Sequence, residues 1–221
     1  MELPKNAFYK KTLDEDQQKF FEAIKNLDKT IVFCNAAAGT GKTTIAMGAA
    51  NILVRDKRNK LEEILYIVSP YGEWKQGYLP GSITEKSAVY YEPAYQAMME
   101  VGMNPNSDVC GESMTEKKQR GDAYVRLLTH TFQRGTNLPN KVVIIDEAQN
   151  YTVGELKKVL TRIHDSSKVI VIGHTGQIDI KGESGFAKYM KWFEGQERCE
   201  VCRLTKNYRG WLSTYADRLE G

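Results

Sequence analysis

Short apolar runs alternate with amphipathic stretches along most of this chain. The runs are rich in β-branched residues, as is typical of buried parallel strands, and lie at about 30–34, 64–68, 141–145, 168–172 and 198–204. Between several of these runs the apolar residues recur at helical spacing. This alternation predicts a mainly parallel α/β sheet with helices on both faces, whose ligands bind outside the carboxyl ends of the strands.

Two of the helices can be placed from their apolar faces. Thr12 and Glu15 have the spacing of a capping box, which predicts a helix start. The face that follows it comprises Phe20, Phe21, Ile24 and Leu27. A second apolar stripe comprises Val153, Leu156, Val159, Leu160 and Ile163. The other side of this second helix carries Lys157, Lys158 and Arg162, and for the lysines a solvated face is the favoured interpretation.

The segment at about 70–135 interrupts this alternation and is rich in Tyr, Met and Gly. We therefore expect one domain over residues 1–221 that carries an insertion at about 70–135. The length of 221 residues and the 41% apolar content suit one α/β domain and are too small for two full ones.

Charge and composition point to a cytoplasmic protein without a membrane segment. The chain has no apolar run of about 18 residues, and its first residues lack the apolar core of a signal peptide. The net charge of +3 gives no strong field for nucleic acid, so such binding would have to be local. Cys199 and Cys202 form a C-x-x-C, which leaves a zinc site open, but reduced thiols in a strand are the favoured reading.

The stretch AAAGTGKT at 36–43 has the form of a phosphate-binding loop, with Ala36 in place of the usual first glycine. It follows an apolar strand and precedes an Ala-rich helix that extends to about Arg55. Lys42 is expected to reach the β- and γ-phosphates and Thr43 to hold Mg²⁺. The predicted ATP-binding residues of the loop are Ala38, Gly39, Thr40, Gly41, Lys42, Thr43 and Thr44.

A second motif indicates nucleotide hydrolysis. The apolar run at 141–145 is followed directly by Asp146 and Glu147. A buried strand that ends there would deliver Asp146 to the Mg²⁺ shell, together with Thr43. Glu147 would lie beyond the γ-phosphate, where a carboxylate can orient or deprotonate water. A pure binding module would not need the second acid.

With these motifs in view, the chain resembles the first motor domain of superfamily 1 helicases. The family's phosphate loop often reads A-x-A-G-[ST]-G-K-T, which 36–43 matches throughout. The other matching residues are Leu13 and Gln17 of L-x-x-x-Q, Asp146, Glu147 and Gln149 of D-E-x-Q, Gly173 and Gln177 of G-D-x-x-Q, and Leu204, Asn207, Tyr208 and Arg209 of L-x-x-N-Y-R. The resemblance implies that Gln17 recognises adenine and that Gln177 and Arg209 contact the γ-phosphate.

More narrowly, the chain resembles PhoH-like proteins, which consist of one such ATPase domain. The similar stretches are 77–81, 93–98, 134–140, 160–168 and 177–179, so that the resemblance covers about residues 13–209. The family has Asp where this chain has His174. An imidazole cannot replace a carboxylate there, which puts the coupling of hydrolysis to a moving partner in doubt.

The resemblance implies a Mg²⁺-dependent ATPase that acts on or with RNA or single-stranded DNA. Base stacking would fall to the aromatic residues of the insertion, namely Tyr71, Trp74, Tyr78, Tyr90, Tyr91 and Tyr95. Nearby basic residues are Lys75, Lys86, Lys117, Lys118 and Arg120. Packing of these aromatics against the sheet is an equally good interpretation for any one of them.

The lack of a second arginine for the γ-phosphate predicts a homo-oligomer. Superfamily 1 enzymes place a second arginine on the γ-phosphate from a second motor domain, for which no strand series follows Arg209. A neighbouring subunit in a head-to-tail ring, with a hexamer as the suggested size, could supply Arg134 or Arg162 instead. Ordinary surface ion pairs remain the alternative for both arginines.

Two other classes of function stay open. Zinc-containing thymidine kinases also carry a strand that ends in D-E-x-Q, but they have two C-x-x-C pairs, whereas this chain has one and carries Gln17 and Arg209 besides. The other class is a nucleotide-gated binding protein with little turnover, for which His174 is the main argument.

Overall fold

Six strands form one sheet in the computed structural model, which describes residues 12–69, 83–110, 123–129, 137–180 and 182–216. The strands are β1 (Ile31–Ala36), β2 (Glu63–Val68), β3 (Val125–Thr129), β4 (Lys141–Ile145), β5 (Lys168–Gly173) and β6 (Cys199–Leu204). Their order is β3-β2-β4-β5-β1-β6, and all five pairings are parallel. The predicted α/β class and the five predicted strands are therefore confirmed.

The parallel register places the carboxyl ends of all six strands at one edge of the sheet. Strand β5 lies between β1 and β4, with Cys34 opposite Ile172 and Ile145 opposite Val171. The segments that follow β1, β4 and β5 therefore start side by side. This arrangement brings the glycine-rich loop and the acidic pair to the same place.

Helices cover both faces of the sheet. They are α1 (Glu15–Lys25), α2 (Lys42–Arg55), α3 (Ile83–Glu100), α4 (Pro105–Asp108), α5 (Val153–Leu160), α6 (Gly185–Phe193) and α7 (Trp211–Ala216). One core cluster joins α1, α2 and α3 to the sheet, and the other joins α5 and α6 to its opposite face. Leu156 and Val159 are buried in the second cluster while Lys157 and Lys158 are exposed, which confirms the predicted stripe and the solvated basic face.

The first helix begins two residues later than the sequence predicted. Its N-cap is Asp14, whose side chain accepts from the backbone N–H of Gln17, and the Gln17 side chain accepts from the backbone N–H of Asp14. The capping box is therefore Asp14 with Gln17, and the prediction of Thr12 with Glu15 was wrong. Leu27 lies beyond the helix end and is 53% exposed, so it does not belong to the apolar face.

The segment expected as an insertion contributes to the sheet. Strand β3 pairs with β2 and forms one edge, which the sequence analysis missed. In α3, Tyr91 is buried in the core, and Tyr90 and Tyr95 are partly buried and pack against it, which favours core packing over base stacking for these three. The other aromatic and basic side chains proposed for nucleic acid in this segment lie outside the described residues.

The cysteines carry free thiols. Cys199 and Cys202 both lie on β6, as predicted, and burial raises the pKa of Cys202 to about 12. Within the described ranges, no cluster of three His, Cys, Asp or Glu side chains could hold a metal by itself. No helix in the same ranges is long and apolar enough to cross a membrane.

Candidate active site

The loop between β1 and α2 depends on two glycines. Gly39 and Gly41 have φ of 77° and 80°, a left-handed backbone that residues with a Cβ rarely adopt. The buried Thr40 hydroxyl donates to the carbonyl of Ala37 at 3.0 Å and fixes the turn between them. Helix α2 begins at Lys42, so its N-terminal backbone N–H groups face the interior of the loop. Such a loop can bind an anion through backbone N–H groups and the helix dipole.

Two other segments hold this loop from outside. The Gln17 amide donates to the carbonyl of Thr40 at 2.9 Å, and the backbone N–H of Tyr208 donates to the carbonyl of Gly39 at 2.8 Å. A Cβ at Gly39 would lie 2.7 Å from Asn207 Oδ1 and 2.8 Å from Arg209 Cγ. The structure therefore places the predicted Gln17 and Arg209 beside the loop.

The first acid after β4 contacts the loop directly. Asp146 is buried, and its Oδ2 accepts from the Thr43 hydroxyl at 2.9 Å and from the Tyr66 hydroxyl at 2.6 Å. Its Oδ1 accepts from the backbone N–H of Glu147 at 2.7 Å. Burial raises the pKa of Asp146, the charge of Glu147 raises it further, and Lys42 and the Tyr66 hydrogen bond oppose the rise. A cation beside this carboxylate would favour its charged form.

The second acid is held out toward the loop by its backbone. Glu147 has φ of 48°, which for a residue other than glycine stores strain and is common at functional sites. Its Oε1 lies 3.9 Å from Lys42 Nζ, too far for a hydrogen bond. Gln149 donates to Glu147 Oε2 at 2.5 Å and accepts from the backbone N–H of His174 at 3.0 Å. Gln149 thereby ties the acid after β4 to the segment after β5.

The segment after β5 is positioned from two sides. A Cβ at Gly173 would lie 2.8 Å from Gln149 Oε1 and 3.1 Å from its backbone nitrogen, so a larger residue there would displace the Gln149 side chain. Asn35 exchanges two hydrogen bonds with Thr175, at 3.0 and 3.1 Å. His174 is partly buried, and among the described residues its Nδ1 has no hydrogen-bond partner. Gln177 is exposed, and its backbone N–H donates to the carbonyl of His174 at 3.3 Å.

Sequence reasoning missed two contributors to the site, since Tyr66 reaches Asp146 and Asn35 holds Thr175. It named Asn207 as part of a motif but not its contact, in which the side chain accepts from the backbone N–H of Arg209 at 2.8 Å. A signal existed for Asn35, which is a polar residue inside an otherwise apolar strand. For Tyr66 only the strand register reveals the contact.

The remaining predicted residues lie farther from this centre. The Thr44 hydroxyl donates to Glu100 at 2.9 Å, at the end of α3. Arg162 follows α5, and its carbonyl accepts from the backbone N–H of Leu138 just before β4 starts, at the opposite end of the sheet from the loop. Arg162 therefore cannot reach the loop of its own chain. Arg134 lies outside the described residues.

The oxygen donors of this site suit Mg²⁺. The ion prefers hard oxygen ligands and is usually held by one or two protein groups together with substrate phosphates. The Thr43 hydroxyl and the Asp146 carboxylate supply such oxygens within one hydrogen bond of each other.

Comparison with known proteins finds one matching family model and relatives of the same family. The family model for "PhoH-like protein" matches residues 10–209. A PhoH-like protein of Synechocystis is 37% identical over 74% of this chain and 46% of its own length. For one of Bacillus subtilis the identity is 34%, over 92% of this chain and 61% of the relative. Protein PhoH of Escherichia coli K12 is 32% identical over 87% and 52%. The chain thus spans about half the length of these relatives.

Solved structures show the same fold at low identity. The UvsW helicase of bacteriophage T4 aligns with a TM-score of 0.58 at 15% identity, over 91% of this chain and 64% of the helicase. The large terminase of bacteriophage HK97 aligns with a TM-score of 0.52 at 14% identity, over 88% and 39%. At such identities the likeness concerns the fold alone, which is a RecA-like P-loop domain.

Proposed function

The chain belongs to the PhoH-like protein family, and from this premise we propose that it hydrolyses ATP with Mg²⁺ and acts on or with RNA or single-stranded DNA. The observation that carries the ATPase proposal is the 2.9 Å hydrogen bond from Thr43 to Asp146. It joins the loop after β1 to the acid after β4, two segments that are far apart in the chain. A glycine-rich loop without an acid would support phosphate binding only.

The proposed chemistry follows from where each group lies. Lys42 neutralises charge on the β- and γ-phosphates, and Mg²⁺ held by Thr43 and Asp146 would supply further charge stabilisation there. Glu147 lies 3.9 Å from Lys42 Nζ and orients the attacking water. Because its carboxylate is held by Gln149, its position is set before the substrate arrives.

Two further groups are proposed from the resemblance. Arg209 stands beside Gly39 and would stabilise charge on the γ-phosphoryl group, while Gln177 would contact the same group from the segment after β5. His174, whose buried Nδ1 has no hydrogen-bond partner in the part of the chain that the structure describes, replaces the carboxylate of the family at the start of that segment. This replacement favours the second candidate function, a nucleotide-gated binding protein with little turnover.

Gln17 is proposed to read the adenine edge, so ATP should be preferred over GTP. Its amide already donates to Thr40 and accepts from Asp14, but one N–H and one lone pair remain for a base. Replacement of Gln17 by Ala should flatten the preference. An unchanged ratio of ATP to GTP turnover would instead assign Gln17 to the capping box and the loop alone.

Steady-state phosphate release, with and without single-stranded RNA or DNA, separates the candidate functions. An ATPase of the proposed kind turns over ATP and responds to one of the nucleic acids. A nucleotide-gated binding protein binds ATP with negligible release. A nucleoside kinase transfers the γ-phosphoryl group of ATP to an added nucleoside with little release of free phosphate, and a product assay detects the nucleotide formed.

We also propose a head-to-tail homo-oligomer in which a neighbour supplies an arginine. Arg162 is a candidate because it lies at the end of the sheet away from its own loop, and Arg134 is the other. The test mixes Lys42→Ala, whose arginines are intact, with Arg134→Ala or Arg162→Ala, whose sites are intact. Recovered activity in one mixture identifies the donor, whereas Arg209→Ala should not be rescued. A monomer with full activity would contradict the proposal.

A further inference from the structure

The Tyr66 hydroxyl shares an acceptor with Thr43. Tyr66 lies on β2, is 1% exposed and donates to Asp146 Oδ2 at 2.6 Å. Thr43 donates to the same oxygen at 2.9 Å from the phosphate loop. The other oxygen, Oδ1, accepts from the backbone N–H of Glu147 at 2.7 Å. Hydrogen bonds from three different segments thus fix the plane of the carboxylate.

Core packing alone does not explain a tyrosine at this position. The neighbours of Tyr66 on the same face of β2 are Ile64 and Val68, and all three pack in the cluster beneath α1, α2 and α3. An aliphatic side chain would fill such a position without any polar atom to satisfy. A buried phenol needs a hydrogen-bond partner, and the partner of Tyr66 is Asp146.

We propose that Tyr66 is a positioning residue for the magnesium ion and acts through Asp146. This inference rests on the proposed function, because it needs a Mg²⁺–nucleotide complex at the site. Mg²⁺ requires near-ideal octahedral geometry, so a carboxylate that can rotate binds it less well. By occupying one side of Oδ2, the Tyr66 hydroxyl leaves the carboxylate directed to the side where Thr43 lies. Loss of such an outer partner typically lowers metal affinity 10- to 100-fold.

The test measures metal affinity without turnover. A fluorescent ADP analogue is bound to wild type and to Tyr66→Phe while Mg²⁺ is titrated. The concentration of Mg²⁺ for half-maximal binding should rise about 10- to 100-fold in the variant. Binding of the analogue without metal should stay within about twofold, since the groups of the phosphate loop are unchanged. Tyr66→Leu, which packs differently, should show the same rise.

The matched control is Tyr124→Phe. The Tyr124 hydroxyl donates to Asn51 at 2.9 Å and accepts from Arg55 at 3.0 Å, near the end of α2 that is remote from the loop. This variant also loses hydrogen bonds of a partly buried tyrosine, so it reports the general effect of such a loss. Its Mg²⁺ dependence should equal that of wild type.

A double-mutant cycle shows whether Tyr66 acts through Asp146. In an Asp146→Asn background, Tyr66→Phe should change the Mg²⁺ dependence little further, because the carboxylate it positions is gone. Additive effects, or an unchanged Mg²⁺ dependence in both Tyr66 variants, would overturn the inference even if their melting temperatures fall. Wild type that binds the analogue equally with and without Mg²⁺ would also overturn the inference, whereas wild type that releases no phosphate from ATP would overturn the proposed function.

Discussion

Both ends of the sheet bury charged side chains, but the two ends differ in the partners that these charges have within the chain. At the amino end, Arg126 on β3 donates to Glu63 on β2 at 2.8 and 3.2 Å, and Lys141 lies 3.2 Å from the other Glu63 oxygen. At the same end Lys168 is 2% exposed, and its ammonium donates to the backbone carbonyls of Ala23, Asn26 and Lys29, in the last turn of helix α1 and just after it. Each of these charges already has strong partners within the chain.

At the carboxyl end, the Lys42 ammonium has few partners among the described residues. Lys42 is 9% exposed, and its acidic neighbour among the described residues, Glu147, lies 3.9 Å from its ammonium. Burial of charge therefore does not by itself mark a functional site. What marks it is a buried charge whose hydrogen-bonding capacity the chain has left for something else.

The largest expected effect distinguishes Lys42 at the carboxyl end from Lys168 at the amino end. Lys42→Met should lower phosphate release by about 10³-fold or more without lowering the free energy of unfolding, because the native chain gives this ammonium few partners. Phosphate-release assays and urea unfolding of the same preparation measure the turnover and the free energy of unfolding. A loss of stability as large as the loss of activity would make Lys42 a structural residue and remove the contrast.

The next effect concerns the ion pair at the amino end. Arg126→Met should destabilise the fold by about 3–5 kcal/mol, since it leaves Glu63 buried with one cation fewer. Urea unfolding measures the change, and the nucleotide affinity of the folded fraction should be unchanged. The double variant Arg126→Met, Glu63→Met should recover a large part of the loss. Weakened nucleotide binding in the folded single variant would connect the two ends and contradict their independence.

Sequence reasoning succeeded where chemistry is local. The loop at 36–43, the acids after β4 and the five apolar strands each carry their signal within a few residues. The capping box failed because Thr12 and Asp14 both offer a cap, and only the side chain of Gln17 selects Asp14. Strand β3 was missed because its run, with Arg126 inside it, is short and stands in a segment of different composition.

Contacts between strands could not be predicted in the same way. The hydrogen bond from Tyr66 to Asp146 requires that Ile67 lie opposite Ile145, a register set by the whole sheet. The same holds for Asn207 beside Gly39, which depends on where β6 ends relative to β1. The residues of the site were therefore largely predictable, whereas the residues that hold them in place were not.

A smaller effect is expected at Lys168. At alkaline pH, where the cost of burying an ammonium no longer offsets it, Lys168→Met should cost about 1–3 kcal/mol of folding stability, because buried backbone carbonyls lose their donor. Phosphate release should remain near that of wild type, which makes this variant the counterpart of Lys42→Met. Thermal unfolding measures the change in folding stability. A large drop in turnover with the fold intact would contradict the separation of the two ends.

A further effect is a pH dependence of folding stability at the amino end. Burial lowers the pKa of Lys168 to about 7, from an unfolded value of about 10.5. Between these values the unfolded chain binds the additional proton, so the free energy of unfolding should rise with pH from about 7 toward 10.5. The difference between wild type and Lys168→Met isolates this rise from other titrating groups. A difference that stays constant with pH would show that the carbonyls keep the ammonium charged.

The most direct test of the central claim compares two variants at the carboxyl end. Lys42→Ala and Glu147→Gln are assayed for phosphate release and, separately, for equilibrium binding of ATP with Mg²⁺. If this end is an ATPase site, both lose turnover, but only Glu147→Gln still binds ATP about as well as wild type, because Lys42 contacts the phosphates and Glu147 acts on the attacking water. Equal loss of ATP binding in both variants, or turnover that survives in either, would contradict the account.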